Sequence, residues 1–555
     1  MVARRPAEKV MRLARLGSLH QSRLSFMRQL TRRMGTEAWQ FERRAFDIDA
    51  QGVGHAVYVA KGPDRSYSLV AFAHDLPDDQ RSDRVIATAW DATFTLFDGV
   101  PSDQDIERLR ANVPLQEAGR VSEQELTLSR ANRSVRLWSH VVERLAAGQQ
   151  PDPAQVEAVG YLMRTTAVYG SGKFGAADRE TYASRPELQS PFQAELLTVY
   201  LIRWCVRDLV EHLARTKGGT SAARLDPQIA QQLGIGNSTG LGMAPFVINH
   251  PVLFNNWIMA REEAIARVRN VESASQEIQT QFKALFAQSQ TLVARWLSDH
   301  PIQKAKLADL GADMPLIAQH LQSEALDLPN PWDQLMLWAE QALTVEGQEL
   351  LASLILEPYP ELVDGLGSCM SDASPQMMIL DGQHSVKDSL AQLEQAFGWA
   401  KAIDWTAKSA DARAWYVSEE KLEPRLGERH QEDIANYEQP LSPARDAMRA
   451  MNELSKQPPE TPVAEFLRAH PEHRHILRRA QIACKIPYSE IRDNTIASDM
   501  LPIDMLRAKL SFFGATHFDP RSDRWVRICM YAGAPYPEDL NPATSDRWVY
   551  PEVAA

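Results

Sequence analysis

At 555 residues, with 44% hydrophobic, 24% charged and 8% aromatic side chains, the chain has material for a large core and is not a mainly disordered protein. Its formal net charge of −12 argues against nucleic-acid binding, because neutralising phosphates needs an excess of Lys and Arg. Cys205, Cys369, Cys484 and Cys529 lie far apart with no CxxC pair, the pattern of reduced thiols in a cytoplasmic protein rather than of a disulfide framework. The most apolar runs, such as residues 196–202, are too short for a transmembrane segment.

Residues 1–35 hold nine Lys and Arg against one acid, Glu8. Apolar and basic positions alternate at helical spacing over residues 7–34, which predicts a basic amphipathic helix. An Arg-rich, acid-poor start suits a transit peptide or a membrane-surface helix. No cleavage-site pattern accompanies it, so the plainer expectation is docking onto the acidic body of the same chain or onto a second subunit.

From Trp39 the period changes to two. Residues 41–48, 55–60, 67–73 and 84–97 are rich in β-branched and aromatic side chains, and turn-forming clusters separate them, which predicts an antiparallel β-meander. Helical signals follow. Ser102 with Asp105, and Ser122 with Glu125, have capping-box spacing. Leu128, Ala131, Val135, Trp138, Val142 and Leu145 recur at steps of three and four, which predicts one helix closed by Gly148. Asp152 and Pro153 should start another that runs to about Thr166, and Phe192 to Leu213 marks a third helical face. Residues 251–299 read as one or two long helices, and further periodic runs continue to the C-terminus. The expected fold is therefore α+β and predominantly α-helical: a small N-terminal antiparallel β-meander followed by a large multi-helix body. The expected divisions are the basic helix at 1–35, the meander at 36–100, a helical domain with glycine-rich loops at 101–330 and a second helical region at 331–555.

The least scaffold-like stretch is residues 227–260, thirty-four positions without one Asp, Glu, Lys or Arg. Asp226 and Pro227 should open a short helix that Gly234 ends. Gly236, Asn237, Ser238, Thr239, Gly240 and Gly242 then fall in one expected loop, followed by His250. A loop that avoids charge yet is dense in Gly, Asn, Ser and Thr buries polar groups, and these need partners from the fold or from a ligand. Glycines also let successive N–H groups approach an anion.

A second glycine-rich stretch, Gly170, Gly172 and Gly175, matches GxGxxG. A dinucleotide site needs a strand before it, and the periodicity predicts a helix there instead. Walker-loop spacing fails as well, since Ala167 stands at the first Gly position and Phe174 at the Ser/Thr position. What remains is a helix end with Lys173 and Arg179, and Arg164 shortly before, available to meet an anion.

Elsewhere, Cys369 sits in a Gly/Ser loop with His384 the nearest histidine, but matches no nucleophile signature, and inert packing is the plainer reading. His470, His473 and His475 crowd together; Glu472 and His475 have the spacing used in di-iron bundles, but no second such pair exists. A basic helix surface is expected, with no metal site.

These residues predict an enzyme acting on a small carboxylate- or phosphate-bearing metabolite. Arg164, Lys173 and Arg179 would neutralise it, Asn237, Ser238, Thr239 and Gly240 would orient it, and His250 is the acid–base candidate because its ordinary pKa lies near working pH. The reaction class stays open, and the cofactor is unknown because no cofactor fingerprint passes its context test. The alternative is a helical assembly protein whose residues 1–35 clamp an acidic partner or form a homo-oligomer.

Overall fold

The computed structural model describes residues 2–80, 89–115, 122–165, 184–238, 251–296, 298, 301–371, 379–406, 415–418, 424–426, 435–439, 442–492, 506–515, 517–520 and 526–550. The fold is α+β and dominated by helices. The chain divides into two compact units, each assembled from separate segments: residues 1–18, 241–282 and 299–508 form one, and residues 19–240, 283–298 and 509–555 the other. Among the described residues no helix is long and apolar enough to cross a membrane.

The second of these units is built on a nine-stranded sheet. In chain order its strands are β1 (Gln40–Ile48), β2 (Gly54–Lys61), β3 (Ser66–Ala73), β4 (Ala92–Asp98), β5 (Glu125–Arg133), β6 (Tyr161–Thr165), β7 (Gly234–Ser238), β8 (His517–Pro520) and β9 (Val526–Met530). The spatial order is β1-β2-β3-β4-β5-β6-β7-β9-β8. The expected meander supplies β1 to β4, with the described part of the fourth run starting at Ala92. Strands β3, β4 and β5 are buried along nearly their whole length, which needs cover on both faces.

Both covers can be read from neighbouring residues of β5. Leu128 packs with Val70, Phe72 and Phe97 against Leu109 and Val113, the first of which lies on helix α1 (Asp103–Asn112). Thr127 points the other way, as alternation requires, and its Oγ1 lies 2.8 Å from Oγ1 of Thr198 on helix α2 (Gln193–Gly218). That helix crosses the sheet, touching β2 to β7. The expected capping box at Ser102 is present: Ser102 Oγ accepts from Asp105 N, and the Asp105 carboxylate accepts from Ser102 N.

Four local expectations are corrected. The predicted basic helix over 7–34 is two short helices, Ala7–Val10 and Phe26–Thr36. The helix predicted from Leu128 is strand β5 up to Arg133, and a helix begins only at Trp138. There the free edge of β4 takes up the backbone hydrogen bonds that a helix would have kept to itself. Ser122 Oγ does reach Glu125 Oε1, at 3.1 Å, but the pair leads into a strand. The helix opened by Asp152 stops at Val159, because Gly160 adopts φ 74°, the left-handed conformation that caps helices; β6 follows directly. Finally, Gly236, Asn237 and Ser238 belong to strand β7 rather than to a loop.

The other unit is helical, with a small antiparallel sheet of Trp415–Ser418, Pro424–Leu426 and Ala435–Gln439. One apolar core joins helices α3 (Val386–Phe397), α4 (Ser442–Leu454), α5 (Val463–Ala469) and α6 (Arg474–Lys485) through Leu393, Phe397, Leu454, Phe466 and Leu477. Elsewhere this unit buries charge. Arg5 donates from Nε and Nη2 to both Glu262 oxygens at 2.7 Å, and from Nη1 to Glu349 Oε1 at 2.9 Å. Arg261 bridges the same two carboxylates, and Arg15 Nη1 reaches Glu349 at 3.1 Å. Arg261, Glu262 and Glu349 are wholly buried.

The sheet unit contains a comparable cluster. Arg23, Arg28 and Arg32 all donate to the Asp546 carboxylate, at 2.8, 3.0 and 3.0 Å. Burial would raise that carboxyl, but the three guanidinium groups outweigh it and hold it far below the usual range. Much of the basic N-terminal segment is thus neutralised by acids of its own chain.

Candidate functional site at the ends of two parallel strands

Among the described strands, β6 and β7 form the parallel pair of the sheet; the other neighbours run antiparallel. A parallel pair requires a crossover connection, which α2 and helix α7 (Pro227–Gln232) lie in. Asp226 starts the latter as expected, its Oδ1 accepting from Gln228 N at 2.8 Å. The pairing aligns Tyr161 with Gly234 and Arg164 with Gly236, so the strands end side by side at Thr165 and Ser238. The chain therefore enters both glycine-rich segments, 166–183 and 239–250, from adjacent strand ends at the same edge of the sheet. In open α/β sheets, whose strands are mostly parallel, ligands bind at the carboxyl ends of the strands; this largely antiparallel sheet offers one such pair of ends.

Three side chains define the described part of this edge. Arg164, 2% exposed, lies across Gly236: a Cβ at that glycine would stand 2.8 Å from Arg164 Cγ and 2.8 Å from Tyr161 Cγ. The glycine is there for close approach. Gly236→Ala should therefore lower unfolding free energy by about 1–3 kcal/mol, the usual cost of overpacking, read as a shift in the urea midpoint. An unchanged midpoint would contradict the close packing. Asn237, 1% exposed, donates from Nδ2 to Thr165 O at 3.0 Å and ties the two strand ends together.

Asn132 is the third. It pairs with Arg164 across the β5–β6 ladder, which puts the two side chains on one face. Its Oδ1 accepts from Asp91 N at 3.1 Å, while its buried Nδ2 has no hydrogen-bond partner among the described residues. A buried amide with no acceptor among the described residues can donate to a bound one.

The same register continues through Gly236 to Cys529 and then His517, giving the row Asn132, Arg164, Gly236, Cys529, His517 over five strands. Cys529 is not a nucleophile in this setting. Its Sγ donates to Gly160 O at 2.9 Å, and burial pushes the thiol up to about 12.

Of the residues expected at the site, Arg164 and Asn237 come together here, and Ser238 is the last position of β7. Arg164 reaches it from a strand rather than from a helix. Lys173, Arg179, Thr239, Gly240 and His250 lie outside the described residues. The strand β6 before the GxGxxG stretch answers one objection to a dinucleotide site; the other, that Ala176, Ala177, Asp178, Arg179 and Glu180 do not read as an apolar crossover helix, is untouched. Asn132 was missed, because a single Asn within a presumed helix carries no signal until the ladder places it opposite Arg164. His384, the histidine nearest Cys369 in sequence, has its ring engaged by Gln392, at 2.9 Å, and by Asp381, at 3.4 Å.

An open hollow of about 670 Å³ lined by His140, Arg144, Gln150 and Asp152 sits instead beside the helices that lead into β6 and β7. Its polar groups are occupied locally. Asp152 caps the helix Pro153–Val159, and Gln150 binds the backbone of Arg224 and Asp226. Comparison with family models, with curated proteins and with solved structures returns no match.

Proposed function

We propose that the chain is an enzyme that binds a small carboxylate- or phosphate-bearing metabolite at the carboxyl ends of β6 and β7. The observation that carries this reading is the departure of two glycine-rich segments from adjacent parallel strand ends, next to buried Arg164 and the buried Asn132 Nδ2. Backbone N–H groups of both segments, with Thr239 and Gly240, would orient the anion, and Lys173 and Arg179 would neutralise it together with Arg164. His250, on the segment that follows β7, is the proposed acid–base group. Asn237 takes a different part from the one its sequence position suggests: its amide holds the strand ends in register. The assembly reading has less behind it, since Arg5, Arg15, Arg23, Arg28 and Arg32 already meet carboxylates of their own chain.

The test is a thermal-shift titration of the full chain with inorganic phosphate, pyrophosphate and citrate at constant ionic strength. A ligand that binds only the folded state stabilises it by about 2.7 kcal/mol at a hundred times its Kd. At least one anion is expected to raise the melting temperature saturably, and a Lys173→Ala/Arg179→Ala double variant is expected to lose that rise. A response no greater than that to chloride, or one that the double variant keeps, would contradict the proposal.

A further inference from the structure

Three ligand-type side chains meet where α5 gives way to α6. His470 caps α5, its N–H donating to Phe466 O, and a single 3-10 turn, Pro471–His473, leads to Arg474. Three residues complete one revolution of such a turn, so side chains three apart eclipse. His470 and His473 accordingly stack, with ring centroids 6.1 Å apart, and both stack on Phe466. Glu472 Oε1 lies 3.5 Å from His470 Nδ1 and 3.7 Å from His473 Nε2, and the three ligand atoms all fall within 4.8 Å of one another.

Those two separations are long for hydrogen bonds. The shorter matches, and the longer slightly exceeds, the edge of a tetrahedron whose nitrogen and oxygen ligands stand about 2.0–2.2 Å from a zinc ion, roughly 3.3–3.6 Å. Glu453, on α4, is engaged by Lys456, with Nζ 2.8 Å from Oε1. Arg479, on the same helix α6, is held away by Glu490, with Nη2 2.9 Å from Oε2. His475 belongs to a different pair, with its Nε2 3.2 Å from Asp446 Oδ2.

We propose that His470 Nδ1, His473 Nε2 and Glu472 Oε1 bind one divalent transition-metal ion of the zinc type, with the fourth position open to water. Two imidazoles and one carboxylate are a ligand set that suits zinc and leaves a coordination site free. The opening follows from exposure, since the side chain of Glu472 is 60% and that of His470 26% accessible. Because all three ligands come from four consecutive residues, the ion would pin the corner between α5 and α6.

The full-length protein, stripped with chelator and exchanged into metal-free buffer, is titrated with Zn²⁺ by calorimetry and with Co²⁺ by its visible absorption. One ion per chain is expected. Changes to groups behind the ligands cost about 10–100-fold in affinity, so His470→Ala and Glu472→Gln should weaken binding by about a hundredfold or more. Glu472→Gln alters an exposed side chain, so its effect is not one of folding. His475→Ala should bind as the wild type does. Absence of stoichiometric binding by the wild type, equal affinity in His470→Ala and Glu472→Gln, or an equal loss in His475→Ala would each overturn the site.

Discussion

Replacing Glu349 with Gln is expected to destabilise the chain by about 3–5 kcal/mol, the cost of leaving buried charges without their counter-ion. The side chain keeps its size, so the effect isolates charge. Arg5, Arg15 and Arg261 all donate to this one carboxylate, and Glu262 alone would then face Arg5 and Arg261. Against total stabilities of about 5–15 kcal/mol, such a loss is severe. It is read from urea denaturation of wild type and variant, and a loss below about 1 kcal/mol would mean that the cluster contributes as little as an exposed ion pair.

The same carboxylate sets a pH dependence. Burial by itself would raise its pKa, but the guanidinium groups of Arg5, Arg261 and Arg15 outweigh burial and hold it at about 2, against an ordinary 4.5. With the folded pKa depressed, the unfolded chain takes up the proton first as pH falls. The stabilisation is therefore complete above about 4.5 and disappears progressively toward about 2. The stability difference between wild type and Glu349→Gln should shrink across that window. A constant difference would contradict the assignment of the effect to this ionisation.

The largest expected effect on function comes from Arg164→Met. Methionine keeps an unbranched stem to lie over Gly236 while removing the guanidinium. A hydrogen bond to a charged group contributes about 1.5–3 kcal/mol, so affinity for the anion that stabilises the wild type most should fall by about ten- to a hundredfold. Equilibrium dialysis of wild type and variant measures this directly. Equal affinity would remove Arg164 from the proposed site and leave it as packing between β6 and β7.

The fold class was legible because the strongest local signals were faithful. The alternating runs that became β1, β2 and β3, the capping box at Ser102 and the helix over Gln193–Gly218 each satisfy their hydrogen bonds and periodicity locally. The errors lie where a distant segment decides. Leu128 and Ala131 fit a helical spacing and fall on opposite faces of the strand, both of them buried, and only the edge of β4 selects the strand. β7 looks like a glycine-rich loop because its partners are β6 in one direction and β9, about half the chain away, in the other. The one local stop signal passed over was Gly160. Missing it hid β6, and with it the parallel pair that brings the two glycine-rich segments to one edge. Arg164 and Asn237 were therefore singled out by type and composition, while the neighbourhood of their strands had to come from the sheet. Glu472 shows the same division. Its chemistry is evident in the sequence, but the natural helical partner, His475, turns to Asp446, and the 3-10 turn gives it His470 and His473 instead.

The central claim is that residues 166–183 and 239–250 serve one anion. Deuterium exchange of the full-length chain, with and without the most stabilising anion of the phosphate, pyrophosphate and citrate series, tests it most directly. Reduced exchange is expected in peptides from both segments and not in residues 1–35. Protection confined to one segment, or appearing in residues 1–35 instead, would contradict the account.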